Sequence, residues 1–378
     1  MTYQTLDVQL DRAKNTDAYR HYLTSRESVL RMLDEAERNS DGVSEYWTEE
    51  LAGFNYILDA SPLIVDRLRE HSHHITGIRS YEYRQHHDFR KTGFLKKFIA
   101  LKELDHANLF VQESMILGGF GHDLDGRFVN LDTLKFYEYL IGLDSQGFLD
   151  EFKYSPENRG VVAEVGPGWG GFPYQFKTLF PNTTYVLIDL PLTLLLSITY
   201  LKTAFSDASV FVYGDYPIEE LPSQLETYDF VFIPHYALDQ LELPGLGLTL
   251  NMVSFQEMTS IHVEDYVKRA FDWGSPHIYS LNRDRSRYNS ELSSVSSIMG
   301  KYYETTDVNV LPVPYNDLAL PNPVVQEIPT IMSRLKHPRR TLRSVKQKIK
   351  PPPGKAVNMA QEIHKYKHVA GRRKTDEI

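Results

Sequence analysis

The sequence predicts an α/β fold: a parallel sheet built from alternating strands and helices, preceded by a mainly helical region and followed by a basic tail. Three observations predict it. Apolar residues recur at three- and four-residue spacings from Asp17 to Arg38, short apolar runs alternate with helical stretches from Gly160 to Leu281, and after Tyr302 the composition turns to Pro and then to Lys and Arg. The expected boundaries are 1–150 for the helical region, on the lid and acceptor side of any site, 151–310 for the sheet domain, and 311–378 for the extension.

Taken in order, the helix from Asp17 carries Tyr19, Tyr22, Leu23, Val29, Leu30, Leu33 and Ala36 on its apolar face, and Ser40-Asp41-Gly42 stops it. A dense polar and aromatic patch runs from His71 to Tyr83. Gly118 to His122 reads as a loop and Leu131 to Leu143 as a helix leading to the sheet domain. Val161–Val165 and Tyr185–Asp189 are the first two strands, with helices through Leu179 and from Leu192 to Phe205. Val210–Tyr213, Phe230–Ile233, Leu248–Met252 and His277–Leu281 are further strands, and Val263–Phe271 is an intervening helix. That is one strand more than the simplest count needs before Glu257, and the pattern does not order them.

A chain of 378 residues with 42% hydrophobic and 24% charged residues is long enough and apolar enough for an ordinary folded core. The longest uncharged apolar stretch, Leu190 to Leu201, falls short of the ~20 residues a membrane span needs. The N-terminus has neither the basic start nor the apolar core of a signal peptide. With 0 cysteines there is no disulfide and no thiolate metal site, and the chain reads as cytoplasmic. The net charge of −9 is divided unevenly: residues 334–378 carry +11 and the preceding 333 residues −20. An acidic body is poorly built to neutralise phosphates, so nucleic acid is disfavoured as a partner of the main surface. The tail's apolar Leu335, Leu342, Val345, Ile349, Val357, Met359, Ile363 and Tyr366 predict helical pieces on either side of Pro351-Pro352-Pro353 that dock on protein, with an anionic membrane surface as the lesser choice. The chain is expected to form a homo-oligomer.

The chemistry centres on Glu164-Val165-Gly166-Pro167-Gly168-Trp169-Gly170-Gly171, which follows a strand and opens a helix. Its glycines let backbone amides and a helix N-terminus approach a ligand. Asp189, 23 residues after Gly166 at the end of the next strand, stands where an acid binds both hydroxyls of a ribose. Gly166, Gly168 and Gly171 also satisfy Gly-x-Gly-x-x-Gly, so NAD and S-adenosylmethionine both remain open. Glu164, the extra Gly170 and the bulk of Trp169 lean toward S-adenosylmethionine, whose amino-acid end is cationic. The cofactor-binding candidates are Glu164, Gly166, Gly168, Gly170, Asp189 and, after a later strand, Asp215.

These residues, with Ile188-Asp189-Leu190-Pro191, Asn251-Met252-Val253-Ser254-Phe255-Gln256-Glu257-Met258 and Ser280-Leu281-Asn282-Arg283, resemble the bacterial putative sugar O-methyltransferases. The likeness spans roughly residues 45 to 290, including the His71 to Gly77 stretch and the run from Val129-Asn130 to Leu140. It implies a Rossmann-like class I methyltransferase sheet under an N-terminal helical region, with S-adenosylmethionine as cofactor and a sugar hydroxyl of a glycoside or glycan precursor as acceptor. The chain departs from the family's pattern at Gly247-Leu248-Thr249-Leu250, which lacks the usual acidic residue. The other readings are an NAD-dependent sugar-modifying oxidoreductase and an RNA-associated module using the basic tail.

Methyl transfer to a hydroxyl needs alignment and a group that takes a proton. Glu257 is the first candidate base, with His235 after another strand end as the second and Asn251 beside them. Ser254-x-x-Glu257 is equally a helix-capping box. His73, His74, Arg79, Tyr81, Ser254 and Gln256 are candidate acceptor contacts, since sugars offer hydroxyls and a ring face. His71, His73 and His74 lack the carboxylate-rich surroundings of a hard-metal site, and no metal is expected.

Overall fold

A computed structural model describes residues 3–39, 45–84, 90–154, 159–285, 292, 294–311 and 365–375. The N-terminal region is helical: α1 (Tyr3–Lys14), α2 (Asp17–Asn39), α3 (Glu45–Phe54), and three single-turn helices α4 (Pro62–Val65), α5 (Leu68–His71) and α6 (His73–Thr76), then α7 (Lys91–Leu104). A small hairpin of β1 (His122–Leu124) and β2 (Arg127–Val129) turns at Asp125-Gly126, both in the left-handed conformation that an Asp-Gly hairpin turn favours. Asn130 then caps α8 (Leu131–Ser145): its side chain accepts the Thr133 N–H while the Thr133 hydroxyl accepts the Asn130 N–H. A short helix, α9 (Asp150–Tyr154), leads to the sheet domain.

That domain contains β3 (Gly160–Val165), α10 (Gly171–Leu179), β4 (Thr183–Asp189), α11 (Pro191–Ala204), β5 (Val210–Val212), β6 (Phe230–Pro234), β7 (Leu246–Met252), α12 (Ser260–Asp272), β8 (His277–Arg283), α13 (Val295–Tyr302), β9 (Tyr303–Val308) and β10 (Tyr366–Arg373). The strand order is β5-β6-β4-β3-β7-β8-β10-β9. From β5 to β8 the pairs are parallel, and β10 is antiparallel to both neighbours. Every residue of β3, β6 and β7 is buried, as expected when helices cover both faces. Alternate residues feed two cores: Val162, Tyr185, Leu187, Leu248 and Leu250 pack toward α8, α10 and α11, whereas Val161, Ala163, Val186 and Ile188 pack toward α12 and α13. This doubly covered, Rossmann-like sheet reverses direction at β3, with β4 on one side and β7 on the other, and such a reversal opens a crevice beyond the carboxyl ends of the strands.

The order that the sequence pattern left open is now fixed, and one expectation changes. The surplus strand is β5, three residues at the sheet edge beyond β6, so the strand beside β4 is Phe230–Pro234. The boundary at 311 fails as a division between sheet and tail. Tyr366–Arg373 is inserted between β8 and β9, where Val369 and Ala370 are buried and the basic residues lie toward the ends. The helical pieces expected around Pro351-Pro352-Pro353 fall outside the described residues. No helix among the described residues is long and apolar enough to cross a membrane.

Candidate functional site

A cavity of about 1100 Å³ opens beyond the carboxyl ends of β3, β4, β6, β7 and β8 and is roofed by α3 and α6. On its β3 side, Gly166, Gly168 and Gly170 all take positive φ (72°, 60° and 88°). A side chain on Gly166 would collide with the Ser254 hydroxyl, and one on Gly170 would press on the Ser197 backbone of α11. Gly166 and Gly168 line the cavity; Gly170 does not, and its service is to seat the loop on α11. Gly171 is required by packing too, because a Cβ there would strike the Trp169 ring.

Trp169 lines the cavity but turns most of its bulk into the protein. Its buried indole lies under the Arg69 guanidinium at 3.8 Å and donates to Asp132 at 3.2 Å. Arg69 is itself buried and forms ion pairs with Glu113 at 2.7 Å and Asp132 at 2.9 Å. This cluster ties α5 and α8 to the glycine loop.

Asp189 accepts the Gly168 N–H at 2.9 Å and the Leu190 N–H at 2.7 Å. Burial pushes its carboxyl up to about 7, against the pull of those two donors. Two of the roughly four lone-pair positions of the carboxylate remain for hydroxyl donors. Glu164, at the end of β3, is buried and accepts the Tyr185 hydroxyl at 2.7 Å. Burial raises it to about 8, Tyr185 opposes the rise and the charge of Asp189 adds to it.

Glu257 lines the cavity on the β7 side, where burial also lifts its carboxyl to about 8, Gln256 and the cations Lys135 and Arg283 oppose the rise, and Glu50 assists it. It caps no helix. Residues Phe255–Glu257 form a single 3-10 turn, and α12 starts only at Ser260, capped by the Thr259 hydroxyl on the His262 N–H. Ser254 instead donates to the Val165 carbonyl at 3.2 Å and accepts from Asn251 at 2.6 Å, bracing the turn against the glycine loop. Asn251 is fully buried and absent from the cavity wall: it donates to Val165 and Ser254 and accepts from Phe255 N–H and Asn282. Its side chain is spent on bracing the turn.

The remaining candidates divide. His235 follows β6 and lines the cavity, as do His73, His74 and Arg79; the His74 ring stacks on Phe54 at 5.7 Å. Gln256 lines it too, but its carbonyl accepts the Arg283 N–H at 3.0 Å, which commits part of the side chain to the backbone of β8. Tyr81 is exposed and lies off the cavity wall. Asp215 lies off it as well, because it follows the surplus edge strand and accepts the Val212 N–H at 2.9 Å. No cluster of three or more His, Asp or Glu suited to a metal occurs among the described residues.

Sequence reasoning missed Lys135, Arg283 and Tyr366, all on the cavity wall. Lys135 had a signal: a lysine two residues after a capping box, on a helix otherwise buried nearly all round. Arg283 ended a quoted motif without a role. Tyr366 is concealed in the basic tail and enters the site only because β10 pairs with β8 opposite Arg283.

No protein-family profile matches the chain, and no curated protein matches it in sequence. Solved structures that align with it include phosphoethanolamine N-methyltransferase 2 of Haemonchus contortus with S-adenosyl-L-methionine, at 13% identity over 78% of this chain and 59% of that one, with a TM-score of 0.31. The apo S-adenosylmethionine-dependent methyltransferase SibL aligns at 10% identity over 86% and 77%, TM-score 0.30. Geranyl diphosphate C-methyltransferase from Streptomyces coelicolor A3(2) aligns at 10% identity over 72% and 90%, TM-score 0.32. The chain thus spans about three fifths of the Haemonchus protein's length.

Proposed function

We propose that the chain is an S-adenosylmethionine-dependent O-methyltransferase acting on a sugar hydroxyl. The observation that carries the proposal is the pairing, in one cavity, of a buried acid behind a left-handed glycine loop with a second, half-buried acid on the turn after β7. Glu164, once ionised, suits the cationic amino-acid end of the cofactor, a form that a pyrophosphate would oppose. The Gly166–Gly168 backbone offers close approach, and Asp189 keeps acceptor capacity for the ribose hydroxyls. When bound, the cofactor supplies a methyl group on a positively charged sulfur.

The chain's own residues then have two tasks, to orient the acceptor oxygen and to take its proton. Glu257, with a carboxyl near the working pH, is the group fitted to the second task. His73, His74 and Arg79 face the same space from the helical region, which suits them to hold acceptor hydroxyls. The word sugar rests on the sequence resemblance, and on the polar lining of the helical side.

The test is calorimetric titration with S-adenosylhomocysteine and NAD side by side, for the wild type and for Asp189→Ala. S-adenosylhomocysteine is expected to bind the wild type and to lose about 1–3 kcal/mol in the variant. Binding of NAD in its place, or unchanged affinity in Asp189→Ala, would remove the reading.

A further inference from the structure

We infer that the acceptor carries an anionic group, a carboxylate or a phosphate, and that Arg283 binds it. The inference rests on the methyl-transfer reading of the cavity and adds to it the class of acceptor. Arg283 closes β8, which lies beyond β7 from the glycine strand β3. Its guanidinium lies over the Tyr366 ring at 4.5 Å and lines the cavity. Its Nε is buried where no described residue offers an acceptor, and its side chain makes no ion pair with a described carboxylate. The neighbouring acid does not serve it: Asp284 accepts from Ser294 and Ser296, with Lys367 nearby.

The other cations of the wall are satisfied. Lys135 holds Asp132 at 3.0 Å, Arg269 holds Asp265 and Asp239, and Arg79 is exposed to water. Burial of a cationic donor without an anion is costly, so a site that keeps one in a ligand cavity is arranged for an anion that arrives with the ligand. A guanidinium held over an aromatic ring can still offer its N–H edge for the two parallel hydrogen bonds that carboxylate and phosphate accept. Gln256, next to Glu257 in the chain, accepts the Arg283 N–H at 3.0 Å, so an anion on Arg283 would lie on the side of the cavity that carries the proposed base.

The same chemistry could come from the cofactor's amino-acid carboxylate, and the experiment separates the two. Glucose, glucuronate and glucose 6-phosphate are titrated by saturation-transfer NMR into the wild type, Arg283→Gln and Arg283→Lys, each with and without saturating S-adenosylhomocysteine. The wild type is expected to bind at least one sugar anion about tenfold or more tighter than glucose, Arg283→Gln to lose that preference, and Arg283→Lys to keep part of it with S-adenosylhomocysteine affinity unchanged. Absence of an anion preference in the wild type, binding of none of the three included, overturns the inference. So does a preference that survives in Arg283→Gln, or a loss confined to S-adenosylhomocysteine. A protein that prefers the anions yet binds no S-adenosylhomocysteine sinks the methyl-transfer reading and leaves the anion site standing.

Discussion

Burial lifts the carboxyls of Glu164 and Glu257 alike to about 8, and both proposed tasks require the ionised form. Glu164 must be ionised to hold a cationic amine, while near neutral pH the free protein holds it protonated. Binding of S-adenosylhomocysteine is therefore expected to release a proton and to tighten as pH rises from 6.5 toward 8, because the ligand favours the deprotonated form. Calorimetry at pH 7 in buffers of different ionisation enthalpy reads this directly, and Glu164→Gln should abolish both the proton release and the pH slope. Glu257 must give up its proton before turnover, so the rate with an acceptor should rise through about pH 8 and then level. Glu257→Gln should lower turnover by ~10²–10⁴ and leave S-adenosylhomocysteine affinity in place. A variant with near wild-type turnover would pass the role to His235, the other candidate on the wall.

At the scale of elements, the turn after β7 is held in a strained conformation. Val253 has φ of 65°, where a β-branched residue is disfavoured, and its N–H donates to Leu281 at 2.8 Å. That reversal sends the chain from a buried strand into the Ser254–Glu257 turn against the glycine loop. Such strain costs ~1–3 kcal/mol, so Val253→Gly should melt at or above the wild-type temperature although a valine is lost, and chemical denaturation measures it. A drop of several kcal/mol would mean that the side chain's packing outweighs the strain. The element also shows what was legible beforehand. Strands from Val161 to Leu281 could be read because burial on both faces leaves nearly continuous apolar runs. Their order could not, since Val210-Phe211-Val212 and Phe230-Val231-Phe232 carry the same pattern and only pairing makes the first an edge. Asp215 was misplaced with it. That the glycine loop, Asp189 and Glu257 line one cavity was legible from their places at strand ends, whereas the bracing duty of Asn251 depends on four partners that no local pattern displays.

For the whole molecule, the last described strand decides whether the sheet closes. Tyr366-Lys367-His368-Val369-Ala370-Gly371-Arg372-Arg373 reads as a basic tail because charge at both ends hides four buried residues between. The ends are anchored outside the apolar core: Lys367 pairs with Asp307, Arg372 donates to the Gln146 carbonyl, Arg373 lies over Phe271, and Lys374 donates to the Gly300 carbonyl. In the middle, His368 meets Tyr279 and Glu138 in the interior, joining β10 to β8 and to α8. Gly371 is pressed against Ile278 and Tyr303, so a larger residue there would have to part β10 from its neighbours. Truncation after Thr375 removes none of these contacts and is expected to leave melting temperature unchanged. Truncation after Lys365 withdraws a strand hydrogen-bonded on both sides, exposes the facing edges of β8 and β9, and takes Tyr366 from beneath Arg283. That shorter protein should aggregate or lose its cooperative thermal transition, as followed by circular dichroism and size-exclusion chromatography. A cooperative transition at the wild-type temperature would show that the sheet closes without β10 and that the tail is separable after all.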